Sequence, residues 1–272
     1  MRFFLLQHFI LLLCSRGLRA FSPSGCVVGM DTAETLIPKN CAQILSPRMQ
    51  RRNARLRIRM GATANNENSR PDPSILVASK DAKTQQIVFC GAFVALAVGT
   101  LVCINLWDGP GAALAEYTLG NDGFNLLRTT IFPIIFGSIF AAVGVLHFVF
   151  KDNFAQITPP RGTWGGLWQA PSPFAEQLGV TYEEYHTYWT GIAEFVGGLW
   201  LLAGGLGWTD VHLPAALLFA LTVAVTPANL YMFTHDATPG GSIPRLPYPE
   251  GHLARFVVQC GLLSNFFIVA TV

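Results

Sequence analysis

The chain has 272 residues, 51% of them hydrophobic and 12% charged, with a formal net charge of +2 and a mean hydropathy of +0.40. That balance places it with membrane proteins rather than soluble globular domains. The charge is uneven: residues 1 to 83 hold 13 of the 18 Lys and Arg and 5 of the 16 acids, leaving 5 basic and 11 acidic groups beyond them. A nucleic-acid partner is disfavoured, because the basic cluster falls in a segment that reads as a removable address.

Residues 1 to 20 carry Arg2, an apolar core from Phe3 to Cys14 and a polar end at Ala20, the build of a signal peptide. Residues 21 to 60 follow, opening on Phe21-Ser22-Pro23 and ending in the basic run RRNARLRIRM at Met60. The junction resembles the two-part plastid presequence of algae with secondary plastids, a signal peptide followed by a transit peptide. The resemblance implies a plastid protein whose mature chain begins near Gly61. An ordinary secreted or endomembrane protein with a basic linker is the alternative. Residues 61 to 84 read as a flexible polar tail.

Five apolar runs come next: Ile87 to Trp107, Thr129 to Phe150, Tyr185 to Trp208, Val211 to Thr234, and Phe256 to Val272. A helix rising 1.5 Å per residue needs roughly 20 residues to cross a hydrocarbon core of ~30 Å, so the runs predict an all-α membrane protein. The short turn at Gly207 to Asp210 makes the third and fourth runs an antiparallel hairpin. Thr181 and Glu184 form the pattern of a capping box, which starts the third helix near Tyr182. If loops alternate sides, Arg70, Lys80, Lys83, Lys151, Arg161, Arg245 and Arg255 share one side and Arg128 stands on the other. By the positive-inside rule that basic side is the stroma, with the tail toward it. An Ala-x-Ala pattern at Ala113 to Ala115 offers a competing reading, in which the first run is a cleaved export signal.

With that topology several isolated polar residues fall at one depth. Glu194 lies ~9 Å inside the start of the third run, and His147, Asn229, His235, Arg255 and Gln259 come from three other runs near the same side. Polar groups inside a bundle are expensive and mark an intramembrane site or a structural pairing, here Glu194 with Arg255 or with His147. Pro227 frees the carbonyl of Val223, for which Asn229 or a water is the expected partner. Gly137, Ala141, Ala203, Gly204, Gly205 and Gly207 are the small residues that close helix approach requires. Trp164 and Trp168 in the loop 151 to 184 read as interfacial anchors. No P-loop, GxSxG or CxxC motif occurs, and no two metal-ligating residues have helical i, i+4 spacing, so no catalytic or metal-binding residue is assigned.

The stretches HFVFKDNFAQITPP, YWTGIAEFVGGLWLLAGGL, AVTPANLYMFTH and ARFVVQCGLL, in that order, resemble the DoxX-like family of small four-helix membrane proteins. The match covers about residues 125 to 272, and the loop GTWGGLWQAPSPFAEQLGV is similar to the plastid branch found in plants and algae. The resemblance implies a four-helix transmembrane bundle at 125 to 272, with residues 85 to 108 as one extra N-terminal transmembrane helix. It also implies that Glu194, His147, Asn229, Arg255 and Gln259 are the family's polar positions. Two functions are expected. One is a non-catalytic plastid membrane protein that assembles or stabilises a membrane-protein complex or binds a small amphipath. The other is a membrane subunit of a quinone-linked oxidoreductase, with quinone as the cofactor.

Overall fold

The computed structural model describes residues 70–240 and 245–271. The signal and transit segments expected at 1 to 20 and 21 to 60 lie outside the described residues. Among the described residues the chain is all-helical, with no strand. Eight helices carry the architecture: α1 Ala82–Leu106, α2 Ala112–Leu126, α3 Phe132–Val149, α4 Lys151–Ile157, α5 Tyr182–Gly205, α6 His212–Ala224, α7 Thr226–His235 and α8 Glu250–Thr271.

By length and apolar composition four stretches can cross a membrane, Ala82–Gly120, Asp122–Val149, His212–His235 and Glu250–Thr271, which makes this a multi-pass membrane protein. Four of the five expected runs meet that test. The run at Tyr185 to Trp208 is helical as α5, but His186, Glu194 and the five glycines of that helix dilute its apolarity. The first stretch is also longer than expected: a π-helical turn at Trp107–Gly111 carries it into α2 as far as the non-helical break at Gly120 (φ 71°), and a second at Leu127–Ile131 joins the rest of α2 to α3.

The helix starts follow local chemistry. Asp81 caps α1 by accepting from the Thr84 amide at 3.0 Å. Thr181 and Glu184 close a reciprocal capping box at the start of α5, as the sequence predicts. Residues 71 to 81, within the expected tail, fold into turns at Pro73–Ile75 and Val77–Ser79. Leu76 is buried there, and the second turn packs on α7.

Among the described residues the most extensive helix contact is α3 against α5. Gly137, Ala141 and Gly144 of α3 meet Gly191, Gly198 and Gly205 of α5 so tightly that backbone touches backbone. A methyl group on Gly198 would collide with the Ala141 amide and the Gly137 carbonyl. Small residues are what permits this approach in a membrane helix pair. From there α5 packs on α6, α6 on α8, and α8 returns to α3 through Phe266 against Phe136 and Phe140. These helices enclose a core of Leu201, Ala215, Leu218, Leu221, Phe266 and Val269. Outside that ring α1 lies along α8, joined by Leu96, Cys260 and Leu263.

The loop after α4 is anchored from within. Trp164 is fully buried, with φ 54°, and is not the interfacial anchor that the sequence suggests. Its ring packs on Phe89 of α1 and on Tyr231 and His235 of α7, and its Nε1 donates to Thr234 Oγ1 at 3.1 Å. Gln86 of α1 donates to the neighbouring Gly165 carbonyl, so the loop clasps α1 to α7. The physical reason is that the glycines at 162, 165 and 166, all at positive φ, let the chain turn the indole inward.

Two substitutions test this packing in detergent-solubilised full chain. Gly198→Ala lowers stability by about 1–3 kcal/mol, read as an earlier unfolding midpoint, while Gly261→Ala, where an added Cβ meets nothing within 4 Å, does not. Trp164→Ala costs about 3–5 kcal/mol and exposes the Arg161 peptide bond to trypsin, whereas Trp208→Ala, on a side chain 77% exposed, leaves the loop resistant.

Candidate functional site

Interior positions change character along the bundle. Seven residues are two helical turns, so positions i and i+7 share a face about 10.5 Å apart. Stepping in this way from the apolar core, Leu201 leads to Glu194 and then Thr187 on α5, Phe140 leads to His147 on α3, Phe266 leads to Gln259 on α8, and Ala215 leads to Thr222 on α6. All of the polar residues reached are buried. At these positions the interior is apolar toward one end and polar toward the other.

The polar half lies at the basic end. The turn Val77–Ser79 rests on α7, Asn153 of α4 donates to the Gly240 carbonyl, and Gln86 reaches Gly165. These contacts gather Lys80, Lys83, Lys151, Arg161 and Arg245 at one end, five of the seven cations expected to share a side. Arg128 sits beyond the other end of α3. Lys151 is held above the usual lysine range, chiefly by its 2.9 Å hydrogen bond to Glu184.

The expected site residues separate into four local arrangements. The first is His147 with Glu194. His147 Nδ1 lies 3.0 Å from the Val143 carbonyl and 3.3 Å from Glu194 Oε2. With the Nδ1 proton on the shorter, helix-internal bond, Oε2 receives no donor, and it is buried without a hydrogen-bond partner. The imidazole is stacked on Phe154 of α4 at 3.8 Å between centroids, which fixes its plane. The glycine contact sets the geometry, since Gly191 packs directly on the Cβ of His147.

The second arrangement crosses the break between α6 and α7. Asn229 Nδ2 donates to Gln259 Oε1 at 2.9 Å. Gln259 Nε2 in turn donates to Thr226 Oγ1 at 2.8 Å and to the Thr222 carbonyl at 3.2 Å. The Thr226 hydroxyl donates to the same carbonyl at 3.1 Å. Asn229, expected to compensate the Val223 carbonyl freed by Pro227, instead braces Gln259, which reaches from α8 to the Thr222 carbonyl. Thr222 and Thr226 are absent from the sequence reading, although Thr222, Thr226 and Asn229 stand at i, i+4 and i+7, the spacing of one helical stripe.

His235 and Arg255 belong elsewhere. His235 is part of the Trp164 clasp, with Nδ1 at 2.8 Å from Thr234 Oγ1. Arg255 reaches across to α7, where Nη1 contacts Met232 Sδ at 2.6 Å. Glu194 thus lies against His147 and not against Arg255. Among the described residues no group of three His, Cys, Asp or Glu is placed to hold a metal ion.

Comparison with protein-family models, curated proteins and solved structures returns no significant match. The site is therefore read from its own chemistry. It offers a buried acceptor beside an imidazole, and a satisfied amide network on the opposite helices.

The amide network is testable as a unit. Gln259→Leu strands the Asn229 amide and the Thr222 carbonyl and costs about 1–3 kcal/mol. Combined with Asn229→Leu, the loss in thermal midpoint is smaller than the sum of the two single changes, the mark of shared partners.

Proposed function

We propose that this chain is a multi-pass plastid membrane protein of the DoxX-like type, non-catalytic, whose polar half-interior receives the head group of a small amphipath. The order of motifs from residue 125 onward and the presequence-like N-terminus support the class and the compartment. In this reading α3, α5, α6 with α7, and α8 are the four-helix bundle, and α1 is the added transmembrane helix. That α5 crosses too is supported by its outward stripe, Trp189, Ile192, Val196, Leu199 and Leu206, which is apolar and exposed. The basic end faces the stroma by the positive-inside rule.

One observation carries the ligand-binding part. A carboxylate held in a helix bundle only for structure is expected to have its oxygens paired, since buried polar groups nearly always are. Glu194 Oε2 has no donor, although an imidazole stands 3.3 Å away. The open acceptor suits a hydroxyl or other polar head group brought in by an apolar tail. A quinone-linked oxidoreductase subunit is the second reading, favoured by the same pair, because a carboxyl and an imidazole in contact can exchange a proton with a quinone oxygen.

The test uses purified full chain in detergent with two probes, monoacylglycerol and plastoquinone. Binding raises the unfolding midpoint, by about 2.7 kcal/mol when the probe is at 100 times its Kd, and Glu194→Gln removes the rise. A gain with plastoquinone alone, together with quinone reduction that Glu194→Gln abolishes, favours the redox reading. No shift with either probe contradicts both.

A further inference from the structure

The break at Val225 has a consequence on the opposite side of the bundle from Glu194. Helix α8 packs closely along α6, but α7, beyond the break, contacts α4 and the turn Val77–Ser79 and loses the close approach to α8. The two helices part toward the basic end, and long side chains bridge the space. Gln259 spans it where it is narrow. One turn closer to the end, Arg255 spans it and finds only the Met232 thioether.

A guanidinium carries five donors and keeps its charge. Among the described residues no carboxylate lies within ion-pair distance of Arg255, and the acid at the end of α7, Asp236, is taken by Arg245 at 3.0 Å. Arg255 is largely but not fully buried, and the Met232 contact leaves its other donors without a protein carboxylate to hold them. On the same face, three residues earlier, His252 Nδ1 is buried without a partner. Its ring is held by Phe233 and Tyr248, which stack on each other at 5.4 Å. Beside this pair the outer face of α8 runs apolar through Leu253, Val257 and Val258, which are 58%, 64% and 68% exposed.

We propose that Arg255 and His252, in the gap between α7 and α8, bind the phosphate of an anionic phospholipid in the leaflet at the basic end, with its acyl chains along Leu253, Val257 and Val258. A guanidinium and a second nitrogen one turn away match the several acceptor oxygens of a phosphate diester, and charge-assisted bonds of this kind are the strong ones. The apolar stripe distinguishes a lipid from a free anion, because it continues from the cationic pair into the hydrocarbon zone.

The inference rests on the membrane-spanning reading above but not on Glu194. Full chain in mixed vesicles is floated first; a chain that does not float fails the membrane reading itself. Floated protein is then extracted, and retained lipid is measured by native mass spectrometry after exchange with phosphatidylglycerol, with diacylglycerol, or with inorganic phosphate as competitor. Phosphatidylglycerol is retained over diacylglycerol. Arg255→Gln weakens its retention about tenfold, the equivalent of one charge-assisted hydrogen bond, and His252→Ala weakens it less. Lys83→Gln, an exposed cation at the same end, leaves retention unchanged. Arg255→Lys, which keeps the charge and loses the fork, gives an intermediate loss and serves if Arg255→Gln does not accumulate. Equal losses for Lys83→Gln and Arg255→Gln, or equal retention of diacylglycerol, overturn the site. Displacement of the lipid by inorganic phosphate at a matching concentration overturns the lipid assignment.

Discussion

The packing of α3 on α5, backbone against backbone, is the contact on which the rest depends. Glycine at 144, 191 and 198 brings the two helices so near that there is no room for side chains between them. His147 and Glu194 flank that seam at its polar end and are forced together. Larger residues at those positions would separate the helices by the width of a side chain and break the pair. Apolar packing in lipid has little hydrophobic drive, so such close fits, with the hydrogen bonds around them, hold the helices together.

From that contact follows a division of the interior. The half beyond Leu201 is filled by leucine, phenylalanine and valine, while the half toward the basic end repeats the same helical positions with Glu194, His147, Thr222 and Gln259. Two solutions to buried polarity coexist there. The amide network of Asn229, Gln259 and Thr226 is internally satisfied and repairs the break before Pro227, so it reads as architecture. The carboxylate of Glu194 keeps an oxygen without a hydrogen-bond partner, and that difference is why the proposed ligand is sought beside Glu194 and not beside Gln259.

Much of this was legible from residue order. Each apolar run became a helix because nothing else pairs its backbone groups within hydrocarbon, and Thr181 with Glu184 set the start of α5 as a local motif should. The grouping of basic residues at one end followed from loop alternation. What could not be read depends on distant contacts. Trp164 looks like any interfacial tryptophan until the loop turns it onto Phe89 and Thr234, and His235 joins that cluster only because the loop arrives there. Arg255 and Glu194 are both charged and near one depth, yet depth says nothing of azimuth. Arg255 faces α7, and Glu194 faces α3. Thr222 and Thr226 were hidden for the opposite reason: threonine is mild enough inside a membrane helix to pass unnoticed, although its spacing with Asn229 marks a stripe.

The central claim is that Glu194 is turned inward onto His147 rather than outward into lipid, and disulfide trapping tests it most directly. In full chain with all six cysteines, at 14, 26, 41, 90, 103 and 260, replaced by Ser, His147→Cys is combined with Glu194→Cys or with Ile192→Cys, whose side chain is 54% exposed. Mild oxidation in membranes should cross-link the first pair rapidly and leave the second unlinked. Cross-linking through position 192 with none through 194 would contradict the account.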